Sequence, residues 1–207
     1  GATVRHLLSH AGGVGFASPK PEKEPGERRL YSSAGFDIIA DRIADEVGMS
    51  FPQYLRAATF EPLGMGSSVL HGSAGHGGEG SVADLMKFAD EILAPTMLHP
   101  ETVDEALTVQ FPGLNGVVPG YGSQKPADWG LGFEIFSHPE SRQGLWFGES
   151  MPGDVAGHFG QAGTFLWLHA GTGRACVVLT DRPFGDWAKP LWTDFNDELW
   201  SVFEDAE

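Results

Sequence analysis

Two places in the chain put proton-handling residues where packing residues are expected. Tyr31 stands in Leu30-Tyr31-Ser32-Ser33-Ala34-Gly35, just ahead of an amphipathic pattern, and His158 stands in Gly157-His158-Phe159-Gly160, at the head of an apolar run. A phenol and an imidazole are suited to general acid and base work. Glycine within a strand pattern marks a bulge or a close approach to the backbone, so the stretch from 157 to 163 reads as the wall of a binding site. Taken locally, Tyr31 also reads as a half-buried aromatic at a helix entry. His158 likewise reads as a strand-edge histidine satisfied by a carbonyl.

Little else in the chain points to chemistry. No serine lies in a Gly-x-Ser-x-Gly elbow; Gly148-Glu149-Ser150-Met151-Pro152 comes nearest and ends in proline. No serine has a lysine three residues later. His71, His76 and Glu79 have metal-ligand chemistry, but a Gly-rich loop makes a poor preorganised site, so no metal and no cofactor are expected. The single Cys176 lies in the apolar run Ala175–Leu179 and reads as a core thiol, which excludes an intramolecular disulfide. His6 and His10 read as packing or helix-terminus partners. A formal charge of −15 argues against nucleic acid and anionic membrane surfaces as partners, and no apolar run approaches a membrane span.

The 207 residues, 41% apolar, suffice for one large core or two small ones. Thr3 caps a short helix through His10, which Ala11-Gly12-Gly13 closes. Residues 17 to 29, with three prolines, read as loop. Phe36, Ile39, Ile43 and Val47 then recur at helical spacing up to Gly48. Ser50 with Gln53 forms a capping box, Ser81 caps a further helix, and Pro100 opens another. Residues 71 to 80 are too Gly-rich for regular structure, and 111 to 128 reads as a long loop covering a site. Trp129 to Phe136 alternates as a strand, 138 to 157 is a polar connection, and 158 to 180 reads as a β-hairpin. A final helix from about Trp187 presents Leu191, Phe195, Leu199, Val202 and Phe203 as the face that packs on a sheet. Helices followed by antiparallel strands and a covering helix give an α+β class, with a mainly helical region at 1–110 and a sheet region at 111–207.

Six stretches in this order resemble one family: Thr3-Val-Arg-His-Leu-Leu-Ser-His10, Tyr31-Ser-Ser33-Ala-Gly35, Pro62-Leu-Gly-Met65, Ser81-Val-Ala-Asp-Leu85, Trp129-Gly-Leu-Gly-Phe133 and His158-Phe-Gly160. The chain looks like a serine β-lactamase-like protein of the class C β-lactamase, D-alanyl-D-alanine carboxypeptidase and esterase branch. That resemblance implies a β-lactamase/transpeptidase-like fold and catalysis by a serine and lysine in a Ser-x-x-Lys motif upstream of everything seen here. The sequence opens at a helix edge without Met, so it is expected to be a member cut after its nucleophile helix, inactive alone and with an unpaired strand edge.

The resemblance matches Tyr31-Ser32-Ser33 to the family's Tyr-x-Asn. It makes Tyr31 the catalytic base, and Ser33 a substrate contact with one hydroxyl donor in place of an amide. It matches His158-Phe159-Gly160 to Lys/His-Thr-Gly. His158 then meets a substrate carboxylate or the leaving group, Gly160 lets substrate lie along the strand, and the Gln161 N–H serves an oxyanion hole. The implied activity is acylation and deacylation of a small ester, amide or β-lactam. A non-catalytic ligand- or partner-binding member of the same fold is the alternative. If His158 anchors a carboxylate as a cation, activity on such substrates falls as pH rises through the imidazole pKa.

Overall fold

The structure is a computed structural model that describes residues 1–137 and 145–204. Helix α1 (Val4–Leu8) is capped by Thr3, and the chain then turns through the left-handed region at His10, φ 56°, rather than at a glycine as expected. Helix α2 (Ser33–Val47) begins earlier than the apolar pattern suggests, because the Ser32 hydroxyl accepts the Gly35 N–H at 2.9 Å and starts the first turn. It stops at Gly48, φ 68°. Helix α3 (Phe51–Leu55) runs into a π-helical turn at Arg56–Phe60.

The 71–80 stretch is not devoid of regular structure. Strands β1 (Val69–Leu70) and β2 (Gly78–Glu79) pair antiparallel, and the loop between them is tied to α2: Ser73 Oγ and Ala74 N–H donate to the Asp37 carboxylate at 2.8 and 2.9 Å. Helices α4 (Val82–Leu93) and α5 (Pro100–Ala106) stand where Ser81 and Pro100 place them. The expected long loop at 111–128 contains a hairpin of β3 (Gly116–Val118) and β4 (Gly122–Gln124). Of the strand expected at 129–136, only β5 (Glu134–Phe136) forms. Gly132, φ 88°, turns the chain so that Trp129 pairs back onto Glu134.

In the connection read at 138–157, residues 138–144 lie outside the described residues, and its last three residues belong to a strand. The hairpin read at 158–180 is a meander of β6 (Val155–Gly160), β7 (Thr164–His169) and β8 (Arg174–Val178). His158 sits in its own strand, separated from the 164–169 run by a turn in which Gly163, φ 84°, donates to the Gly160 carbonyl. The main sheet has the order β5-β6-β7-β8, all antiparallel.

Alternation divides the sheet's side chains between two cores. Val155, Phe159, Phe165 and Trp167 face a core shared with Trp146 and helix α6 (Ala188–Glu204), whereas Ala156 and Leu168 face Ile92 of α4 and Val103 of α5. His158, opposite Leu166 in register, therefore points to the helical side of the sheet. Helix α6 packs with a face other than the expected one. Ala188, Trp192, Asn196 and Trp200, four residues apart, are buried, while Leu191, Phe195 and Val202 are exposed. A buried polar residue decides this: Asn196 accepts from Trp167 Nε1 and donates to the Trp146 carbonyl, both at 2.9 Å. Leu199 and Phe203 reach the core only from its margin.

Arg29 stitches the helical and sheet regions together. Its guanidinium is buried and donates to the carbonyls of Ser9 at 2.7 Å, Gln110, Phe111 at 3.2 Å and Ala127. Urea melts of two variants test which face of α6 carries the packing. Trp192→Ala is expected to cost about 3–5 kcal/mol, as removal of a buried ring does. Phe195→Ala is expected to cost less than about 1 kcal/mol, as an exposed position does.

Candidate active site

The site is assembled where the turn into α2 meets the exposed half of β6. Strand β5 ends opposite Gly157, so the ladder on that side of β6 does not extend over His158–Gly160. Leu30 N–H donates to the His10 carbonyl at 2.9 Å, Ser32 N–H to His10 Nδ1 at 3.1 Å, and Ser32 Oγ to the Gly15 carbonyl at 2.7 Å. These bonds hold Tyr31 between two fixed neighbours. Its ring lies 4.5 Å from that of His10 and 5.8 Å from both Trp129 and His158, measured between centroids.

The tautomer of His158 follows from its partners. Nδ1 is 2.7 Å from the Phe159 carbonyl, which can only accept, so Nδ1 carries the proton and Nε2 offers a lone pair. Tyr31 Oη lies 3.2 Å from that Nε2 and is therefore the donor. Burial of the imidazole lowers its pKa from the ordinary 6.5, while the Phe159 bond opposes the shift, so the ring is neutral at pH 7. Burial, reinforced by the nearby Glu134 carboxyl, pushes Tyr31 up to about 12, so it is a phenol and not a phenolate.

Around this pair lies a cavity of about 1010 Å³, lined also by Ser33, Gly160 and Gln161. The structure thus brings all five candidate residues to one space. Ser33 is buried in the first turn of α2 under the backbone of Gly75; a Cβ on that glycine would stand 2.6 Å from the Ser33 Cα. Gly160 ends β6, and Gln161 is exposed in the turn beyond it. His71, His76 and Glu79 form no metal-binding group, and no such group of three or more acids, histidines or cysteines occurs among the described residues. Cys176 is half-buried against the α6 core, and burial pushes its thiol up to about 11.

Three residues of the site escaped the sequence reading. His10, taken as a packing or terminus residue, lies beneath Tyr31. Burial, with His158 and Arg29 nearby, keeps its pKa well below 6.5, and its Nε2 has no hydrogen-bond partner. Trp129 covers the edge of both imidazoles, 4.4 Å from His10 and 5.4 Å from His158. Glu134 is 4% exposed, lines the cavity and accepts from Trp146 Nε1 at 2.8 Å; burial pushes its carboxyl up to about 7. A histidine directly before Ala-Gly-Gly, and the one acid inside the Trp129–Phe136 pattern, were the available signals.

Residues 1–198 match the family model described as Beta-lactamase. A beta-lactamase from Mycobacterium bovis is 45% identical and superposes with a TM-score of 0.94, over 98% of this chain and 75% of that one. Two more distant structures share the fold. Simvastatin synthase from Aspergillus terreus is 15% identical, with a TM-score of 0.75 over 95% of this chain and 66% of its own. A hydrolase with promiscuous acyltransferase activity, EstCE1, is 16% identical, with a TM-score of 0.71 over 93% and 70%. The order of motifs, the antiparallel sheet under α6 and the match over nearly the whole length agree: the chain belongs to the Beta-lactamase family, a family typically of serine hydrolases, and has the β-lactamase/transpeptidase-like fold.

Proposed function

We propose that the protein carrying this chain is a serine hydrolase that acylates and deacylates a nucleophilic serine supplied by an upstream Ser-x-x-Lys segment. The observation that carries this reading is the Tyr31 Oη to His158 Nε2 contact of 3.2 Å at the wall of the large cavity. The substrate is a small ester, amide or β-lactam. The chain without that segment is expected to be inactive, because no Ser-x-x-Lys pair occurs in its sequence.

With its pKa raised to about 12, Tyr31 keeps its own proton at neutral pH and must pass that proton on before taking another, so it works as a relay. As the serine oxygen bonds to the acyl carbon, its proton moves to Tyr31 Oη, and the Tyr31 proton moves to His158 Nε2. The resulting imidazolium keeps its Nδ1–H bond to the Phe159 carbonyl. When the acyl bond to the leaving group breaks, the two transfers reverse and the leaving oxygen or nitrogen takes the proton. Water repeats the cycle in deacylation. The Gln161 N–H, beyond the unladdered end of β6, serves as an oxyanion donor, Gly160 leaves room for substrate, and Ser33 contacts the acyl portion. Of the two roles that the resemblance allows His158, its neutral, Tyr-bonded state suits the proton acceptor at the leaving group rather than a cationic anchor. The regions at 1–110 and 111–207 then act as one catalytic unit, each supplying half of the relay.

Two sets of measurements test this reading. In the full-length enzyme, Tyr31→Phe is expected to lower kcat for a chromogenic ester by about 100- to 10,000-fold, the usual range for loss of a general base. His158→Gln keeps an acceptor for Tyr31 without the basicity and should lower kcat by about 100-fold with little change in KM. An unchanged kcat in His158→Gln sinks the relay.

The second set reads stability against pH. His10 and His158 have folded pKa values below the ordinary 6.5, so the unfolded chain binds more protons in that window and stability rises with pH up to about 6.5. Glu134, near 7 when folded against an ordinary 4.5, acts in the opposite sense between those values. Glu134→Gln should therefore steepen the rise in Tm between about pH 5 and 7. A flatter rise contradicts the assignment.

A further inference from the structure

We infer that His10 is the positioning residue of the relay, and that its side chain, not the turn it makes, is what aligns Tyr31 with His158. The inference rests on the serine-hydrolase reading and adds to it a residue that acts through Tyr31.

His10 offers acceptors to the backbone on both sides of Tyr31. Its carbonyl takes the Leu30 N–H at 2.9 Å, and its Nδ1 takes the Ser32 N–H at 3.1 Å. Burial keeps the imidazole neutral, so Nδ1 stays an acceptor. The same ring lies under the phenol, 4.5 Å away between centroids and tilted by 33°. On the other side of Tyr31 the Phe16 ring is 6.1 Å away and 57% exposed, so the close, buried contact is that of His10. With its backbone tied on both sides and its ring supported from below, Tyr31 presents Oη at one place, 3.2 Å from His158 Nε2. A relay depends on that alignment, because a small displacement of a proton donor from its acceptor lowers the rate steeply.

The backbone shows that the turn alone does not call for a histidine. His10 holds φ at 56°, in the left-handed region where a side chain is strained and glycine is not. Glycines stand close by, at positions 12 and 13. A strained dihedral kept at a buried residue points to a role for its side chain. The carbonyl bond to Leu30 survives any substitution, so the imidazole contributes the bond to Ser32 and the stack under Tyr31.

Glycine and asparagine at position 10 separate the turn from the side chain, since both accept a left-handed φ. His10→Gly loses the ring and the acceptor, whereas the amide oxygen of His10→Asn can take the Ser32 N–H. With full-length enzyme and a chromogenic ester, His10→Gly is expected to lower kcat by about 100-fold while KM stays within about threefold. His10→Asn should recover about tenfold of that loss. A residue needed only for the turn is served equally well by glycine, so an unchanged kcat in His10→Gly overturns the inference. A His10→Asn enzyme no better than His10→Gly overturns it as well.

Action through Tyr31 is read by combining substitutions. In a Tyr31→Phe background the relay is already lost, so adding His10→Gly should lower kcat by less than about twofold. Full additivity overturns the inference and leaves the hydrolase reading intact; a Tyr31→Phe enzyme as active as the wild type sinks the relay itself.

The alignment is also visible without turnover. The nitrogen NMR resonance of His158 Nε2 reports the bond from Tyr31 Oη, and Tyr31→Phe gives its position when that bond is absent. His10→Gly should move the resonance toward that position, and His10→Asn should move it less. Should no ester be turned over while the resonance shifts in this way, the hydrolase reading falls and the positioning role stands. A resonance that His10→Gly leaves in place overturns the inference.

Discussion

The buried guanidinium of Arg29 is the constraint from which the site's geometry descends. Its planar fork serves carbonyls from three segments: the end of α1, the chain after α5 and the approach to Trp129. Each bond fixes a neighbour that matters. Ser9 precedes His10, Ala127 stands two residues before Trp129, and Arg29 itself stands two before Tyr31. Burial lowers the guanidinium pKa to about 10, opposed by Asp128, so it remains charged throughout the physiological range. A charge so placed makes strong bonds to carbonyls because water does not compete for them. Lysine could not replace it, since a point charge cannot hold several carbonyls in one plane.

Upon that frame stands an aromatic stack in which proton positions are settled by acceptors. The Phe159 carbonyl fixes the tautomer of His158, and that tautomer fixes the direction of the Tyr31 hydroxyl. His10 works by the same logic one layer down, with Nδ1 accepting from Ser32 and so leaving Nε2 protonated. The site is therefore a column of groups whose ionisation is opposed by burial: two imidazoles below their ordinary value, a phenol and a carboxyl above theirs.

Much of this was legible in the sequence, and the failures have physical causes. Capping residues placed α1 and α4, because an N-cap is a local bond between near neighbours, and Pro100 placed α5; α2 was placed by apolar spacing, which missed the start that Ser32 gives it. Tyr31, Ser33, His158, Gly160 and Gln161 were found through the order of family motifs, and the structure gathers them about one cavity. What escaped depends on contacts distant in sequence. Asn196 belongs to the packed face of α6 only because Trp146 and Trp167 meet it there, so apolar periodicity chose Leu191 and Phe195 instead. Gly132 ended the strand pattern of 129–136 through one dihedral that no alternation reports. Arg29 fell in a stretch read as loop and Glu134 in a strand pattern, and neither reading could show the distant Ala127 carbonyl or the Trp146 indole that hold them buried.

The contact of Gly75 with Ser33 bears on how such a cleft could diversify. Because the glycine's backbone rests on the Cα of Ser33, and Asp37 pins the loop that carries it, any side chain at 75 would push the first turn of α2 and with it Tyr31. Position 75 is thus closed to drift, although it lies in a loop, the part of a fold where variation is usually tolerated. New substrate preferences are more readily found at lining side chains carried by other elements, such as Leu55 of α3 and Leu179 beyond β8. Two walls of one cavity would then evolve at different rates: one held still by its backbone contacts, the other free to vary.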